Sequence, residues 1–258
     1  MQKRTFLGLA LAAPLLVFPV VAATPALAAG SSFQATLAPV PTNHVQGSGS
    51  AMASFTGPTT VRVTVDANML LDSSPHAQHI HFGAEAQHEC PTAAVAKPHN
   101  GHRSITTTDG APAYGPIATS LTTRGDTSPK SGLAVDRFPA SGSYHYTRTI
   151  NLDVDTAAAI KNGQAVIVVH GIDYNGNGKY DNVLGVSDLD PKLPAEATDP
   201  ALCGVLAASQ MSNVPSGGAA TGGGSTSGVE DGGLLALGGV AVIAAGGALA
   251  YRRRGVQD

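Results

Sequence analysis

Apolar residues recur mostly at every second position along this chain. Residues 60–66 alternate without a break, placing Val61, Val63 and Val65 on one face and Arg62 and Thr64 on the other, the pattern of a strand with one buried side. Shorter stretches at 33–37, 52–55, 69–71, 78–82, 117–122 and 144–152 also predict strands. Residues 165–170 form a continuous apolar run ending in His170, which suits a strand buried on both faces. Clusters of Gly, Pro, Asn and Ser separate these pieces, and only 156–161 reads as helix. Together they predict an all-β domain: a Greek-key antiparallel β-sandwich or barrel with long loops, the longest at 83–116 and 171–202.

The two ends follow a different pattern. Lys3 and Arg4, an apolar stretch over 6–23 and Ala26-Leu27-Ala28 read as an export signal spanning 1–29. Residues 232–251 are apolar and uncharged; at ~1.5 Å per residue a helix of that length crosses a hydrocarbon core of about 30 Å. Arg252, Arg253 and Arg254 follow directly, which predicts a transmembrane helix with a basic cytoplasmic tail at 252–258. Residues 211–231 are rich in Gly, Ser and Thr and read as a flexible spacer. A single exported domain is therefore expected over 30–210, anchored in the membrane or attached to the wall. Spacer, apolar helix and arginines together resemble the sorting signals of Gram-positive wall proteins, and so suggest sortase-type processing. The Leu-Pro-x-Thr-Gly pentapeptide of those signals is missing, which leaves retention in the membrane equally open.

Charge excludes one class of partner. Residues 30–231 carry 17 acidic and 10 basic side chains, a net charge of −7 with histidines neutral, so nucleic-acid binding is not expected. The chain has no Trp, which removes the usual platform for stacking sugars. Its two cysteines, Cys90 and Cys203, lie in a chain read as exported, where the simplest assignment is one disulfide. Two buried free thiols are the other reading.

The candidate chemistry starts with His79-Ile80-His81. Strand alternation puts both imidazoles on one face, and His170 could add a third from a neighbouring strand. Three nitrogens suit copper or zinc; the competing reading is three structural histidines hydrogen-bonded inside the sandwich. A second candidate is the segment 173–181. Asp173, Asn175, Asn177 and Asp181 hold positions 1, 3, 5 and 9 of a calcium loop, with Gly178 at position 6. Leu184 stands where the bidentate Glu should be, and a tight Asn-Gly turn needs no calcium. His76 and His88 flank the pair as further ligands or solvated loop residues. His145 is expected exposed, His44 earns no role, and Asp153 and Asp155 read as a strand end and helix cap.

These residues also carry a resemblance. His79-Ile80-His81-Phe82-Gly83 followed by Cys90 is similar to the His-x-His-x-x-Gly…Cys segment of copper/zinc superoxide dismutases, shorter by one residue. Val168-Val169-His170 resembles the Val-Val-His that supplies a further copper ligand there, and Leu202-Cys203-Gly204-Val205 resembles the closing Ala-Cys-Gly-Val. A nearer likeness is to secreted actinobacterial proteins with a chordin-type (CHRD) domain. It rests on the segments 75–81 and 193–198 and on the Asn-Gly-rich loop after His170. The resemblance implies the Greek-key sandwich, copper on His79, His81 and His170, and a Cys90–Cys203 bridge.

The zinc half of the dismutase pattern is not matched. Lys97-Pro98-His99-Asn100-Gly101-His102 is followed by no histidine through Pro116, so zinc is not expected. His99 and His102 remain additional candidates in place of the bridging ligand. Pro200 occupies the position of the family's anion-guiding arginine. Residues 171–202 hold six acids against Lys179 and Lys192, a charge that repels superoxide. The expectation is a surface copper-binding protein with weak or no dismutase activity. It stands ahead of a divergent dismutase, which a fourth imidazole at the trio would favour. It also stands ahead of a metal-free structural module, which histidines bonded to one another would favour.

Overall fold

The computed structural model describes residues 31–209; the predicted export signal, spacer, transmembrane segment and tail lie outside them. The domain is all-β, built on one curled antiparallel sheet. Its first half runs through β1 (Ser32–Pro39), β2 (Ser48–Phe55), β3 (Thr60–Asn68) and β8 (Tyr144–Asn151), and its second through β10 (Pro200–Val205), β9 (Val166–His170), β4 (Gln78–His81) and β7 (Ile117–Ser120). The strand β1 joins the halves. It pairs along its length with β2, and at Ala38 and Pro39 with Cys203 and Leu202 of β10. A two-residue strand, β11 (Ala207–Ala208), pairs with its start.

Register explains the core. Ala53 faces Phe33 on one side and Val63 on the other, Val63 and Val65 lie beside Arg148 and Tyr146, and these pairs repeat every second residue. The alternating valines read from the sequence are all buried, as are Phe33, Leu37, Phe55 and Ile150. They meet Ile80, Ile167, Val169 and Leu202 of the second half in one apolar cluster. The run 165–170 is buried on both faces. Ile167 and Val169 join the main core, while Val166 and Val168 pack outward against Val40, Ile105, Tyr114 and Cys203.

That outer cluster is covered by residues 83–116, expected as loop but partly structured. They hold a short hairpin, β5 (Lys97–His99) with β6 (His102–Ser104), and α1 (Thr107–Tyr114). Helix α1 escaped notice because it contains Gly110 and Pro112, both poor helix residues. Thr106 and Asp109 cap it reciprocally, which satisfies two of its open backbone amides. Tyr114 folds back so closely that a Cβ on Gly110 would lie 2.6 Å from its ring. The Cys90–Cys203 disulfide ties this cover to β10.

Two other expectations need correction. Residues 69–71 are a turn, not a strand: Met69 is exposed with φ 57°, and the amide of Leu70 donates to the Gly142 carbonyl. The span 171–202 is not wholly loop, because it contains α3 (Ala195–Thr198) and the start of β10. Pro200 and Gly204 disguise β10, yet Gly204 is needed where β10 comes close to β1, since a Cβ there would meet the Thr36 carbonyl at 2.4 Å. The helix expected at 156–161 is present as α2 (Val154–Lys161), capped by Asp153, which accepts from the Thr156 amide at 2.8 Å.

The sheet's two end strands, β7 and β8, share no ladder. Side chains cross the gap instead. Arg148 donates to both the carbonyl and Oγ1 of Thr122, each at 2.8 Å, and to the carbonyl of Gly125. The hydroxyls of Tyr146 and Tyr144 reach the Thr122 carbonyl and Gln78 Oε1. Among the described residues no helix is long and apolar enough to cross a membrane.

Candidate metal centre

The site follows from the alternation of β4. Ile80 points into the main core, so His79 and His81 point to the opposite, covered face. On β9 their direct partners are Val168 and Val166. His170 lies two residues beyond Val168, on that same face. The three rings come together with centroids 5.1 to 5.9 Å apart, and none is more than 2% exposed. One nitrogen from each lies within 4.8 Å of the other two.

Each ring is fixed from behind by a main-chain carbonyl. His79 Nε2 donates to Gly132 at 3.1 Å, His81 Nδ1 to Gly115 at 2.8 Å and His170 Nδ1 to Thr198 at 2.6 Å. These carbonyls come from three different connections. A neutral imidazole has one N–H and one lone pair, so the carbonyls assign the tautomers: His79 Nδ1, His81 Nε2 and His170 Nε2 carry the lone pairs. Those are the three ring nitrogens that are buried and lack any hydrogen-bond partner. Tyr114 packs its ring against His81, with centroids 4.7 Å apart, and Phe138 stands edge-on to His79 at 5.5 Å.

Burial keeps all three rings neutral. It is the main reason the pKa of His79 lies well below its ordinary value, with the neighbouring His170 and His81 adding repulsion. Burial, and then His170, lower His81 to about 3. His170 falls to about 4 through burial, against the opposing pull of the Thr198 carbonyl and Asp188. Three neutral imidazoles, clustered and oriented by carbonyls, each with one buried unpartnered nitrogen, make a donor set that fits a metal ion. The chain matches no protein-family model and no curated protein sequence.

The other sequence candidates fall elsewhere. His99 Nε2 sits 2.6 Å from Asp109, which also pairs with Lys97 at 2.7 Å. His102 is exposed, edge-on to Tyr174. Neither belongs to the trio, whose only members among the described residues are His79, His81 and His170. His76 is buried against the same strand, with its ring nitrogens 3.0 Å from the His170 carbonyl and 2.8 Å from that of Leu71. His88 turns to the Gly83 carbonyl, His44 stacks on Tyr174, and His145 is exposed beside Asp66.

In the 173–181 loop the calcium-type acceptors serve the loop itself. Asp173 accepts from the amides of Asn177 and Gly178, Asn175 Oδ1 from the Asn177 amide, and Asp181 from Asn177 Nδ2. A carboxylate the sequence did not single out, Glu196, accepts from the Tyr174 and Asp181 amides at 2.7 and 2.6 Å.

Sequence reasoning also missed the three anchoring carbonyls, which have no side-chain signature. It counted Asp199 only as loop charge. Asp199 is wholly buried, and neither carboxyl oxygen has a partner. Burial, followed by the charges of Asp188, Asp109 and Glu196, pushes its pKa up to about 9.

Proposed function

We propose that this chain is an exported, envelope-anchored copper-binding protein of the copper/zinc superoxide dismutase-like superfamily, nearest the CHRD-domain group. In this reading His79, His81 and His170 hold one copper ion in a Greek-key sandwich, and dismutation is weak or absent. The observation that carries it is three buried histidines that bring one ring nitrogen each within 4.8 Å of the other two, each ring oriented by a carbonyl and each left with one buried, unpartnered nitrogen. Three structural histidines would spend those nitrogens on protein partners, because an unmet buried polar atom costs about 1–3 kcal/mol. Copper in such a site supplies one-electron chemistry. The protein's part is to hold the rings neutral and keep them from turning.

Weak dismutation is supported by what surrounds the trio. Pro200 stands at the position of the guiding arginine and pairs with His170. Arg137, next to Phe138, spends its guanidinium on the carbonyls of Arg124 and Asp126 and on Ser131 Oγ. No fourth imidazole joins the three among the described residues.

The test is a Cu(II) titration of the full-length protein followed by electron paramagnetic resonance, with a His79→Ala, His81→Ala variant as control. One equivalent of copper with several nitrogen couplings, lost in the control while the circular dichroism is kept, is the expected result. No specific signal, or one unchanged in the control, would sink the copper reading and leave a metal-free module. Preferential retention of Zn(II) over Cu(II) would replace the metal.

A further inference from the structure

Asparagine is followed by glycine at four places in the chain: Asn100, Asn162, Asn175 and Asn177. In such a pair the glycine nitrogen can reach the asparagine Cγ, because no side chain shields it. The nitrogen bonds to Cγ and gives its proton to water, the Cγ–Nδ2 bond breaks, and ammonia leaves. Water then opens the cyclic imide at either carbonyl, leaving aspartate or isoaspartate. The reaction needs a glycine amide free of other bonds. It is helped by a donor on Oδ1, where negative charge develops during attack.

The four pairs differ in these two respects. Asn175 is exposed, and its Oδ1 accepts from the Asn177 amide at 3.1 Å. The Gly176 amide has no hydrogen-bond partner among the described residues, and a Cβ built on Gly176 would meet nothing within 4 Å. Nucleophile and polarised carbonyl are therefore both in place. Asn177 has the same polarised oxygen, which accepts from the Lys179 amide at 3.2 Å, but its nucleophile is held: the Gly178 amide donates to Asp173 Oδ2 at 2.8 Å. Removing that proton would set a negative charge against a carboxylate and break a charge-assisted bond. The Gly163 amide likewise donates to the Ile160 carbonyl at 3.1 Å. Asn100 gives its Nδ2 to the Val183 carbonyl at 2.9 Å, which resists the rotation that carries Cγ onto Gly101. No donor meets its Oδ1 among the described residues.

We propose that Asn175 is a modification site of this protein, deamidated by attack of the Gly176 nitrogen, while the fold protects Asn177, Asn162 and Asn100. The reaction consumes only water and requires neither a metal nor a partner, so it is independent of the copper reading. Its aspartate product sets a new carboxylate two residues from Asp173, and its isoaspartate product adds a methylene to the main chain. Both changes fall in the connection between His170 and the Thr198 carbonyl that anchors its ring.

The test incubates full-length protein at mildly alkaline pH, folded and in urea, and follows all four sites by peptide mapping with mass spectrometry. The urea sample supplies the rate of each site without the fold. Asn175 should react in the folded protein at least as fast as in urea, and the other three at least tenfold slower than in urea. Folding that slows Asn175 tenfold, or leaves Asn177 at its unfolded rate, would overturn the inference. Asp173→Ala, which frees the Gly178 amide, should speed Asn177 at least tenfold. Continued protection of Asn162 and Asn100 in that variant reports that its fold is intact. Asn177 still protected there would overturn the role given to the glycine amide, and the inference with it.

Discussion

Asp199→Asn should stabilise this protein at neutral pH, and by an amount that depends on pH. The carboxyl is buried and unpartnered, with its pKa moved from 3.8 to about 9. A raised carboxyl pKa contributes its full stability below the unfolded value. That stability is lost as pH rises toward the folded value, because the unfolded chain gives up the proton and the folded one does not. At ~1.4 kcal/mol per pH unit, the loss reaches about 4 kcal/mol by pH 7 and only about 0.5 kcal/mol at pH 4. Asparagine cannot ionise, so its advantage over aspartate should grow by about 4 kcal/mol between those two conditions, roughly 10 °C in Tm for a domain of this size. The unpaired buried amide that asparagine brings is independent of pH and cancels in the comparison. Urea denaturation of both proteins at pH 4 and pH 7, followed by circular dichroism, measures the difference. A gap that stays constant with pH, or a variant less stable at pH 7 than at pH 4 relative to wild type, would refute the reasoning and mean that Asp199 is ionised and paired.

Replacing Cys90 and Cys203 with serine releases a link across 113 residues, and should cost roughly 3–5 kcal/mol in urea denaturation. Copper at a hundredfold excess over its Kd should add about 3 kcal/mol of stability, an increment that His81→Ala abolishes. Because the folded chain holds His81 and His170 at about 3 and about 4, protons should begin to displace copper near pH 4 and not near 6.5. Loss of the resonance signal at pH 6 would contradict this. Glu196→Ala removes the acceptor for the Tyr174 and Asp181 amides; it should cost about 2–4 kcal/mol and speed hydrogen exchange across 173–182.

What could be read from the chain was what is local. Alternation in 60–66 placed its valines in the core, and the spacing of His79 and His81 put both on one face before any fold was known. The apolar run ending at His170 was also enough to bury it. The remainder depends on partners far away in sequence. The carbonyls of Gly115, Gly132 and Thr198 hold the rings through main-chain atoms, which residue type does not reveal. Helix α1 and strand β10 were hidden by Gly110, Pro112, Pro200 and Gly204, residues at odds with local propensity; the two glycines stand where neighbouring atoms leave no room for a Cβ. Apolar Met69 suggested a strand, but its left-handed backbone makes a turn.

The gap between β7 and β8 has a consequence for how this protein behaves in company. A sheet closed by hydrogen-bond ladders offers no free edge, whereas here two strand edges are kept apart from other chains by a few side chains. Arg148 is the main one, since it occupies the carbonyls of Thr122 and Gly125 that a foreign strand would otherwise seek. Losing that one guanidinium would leave every ladder intact, with only the Tyr144 and Tyr146 hydroxyls left across the gap to guard the edges against edge-to-edge assembly. Arg148→Ala should therefore show first as aggregation on storage.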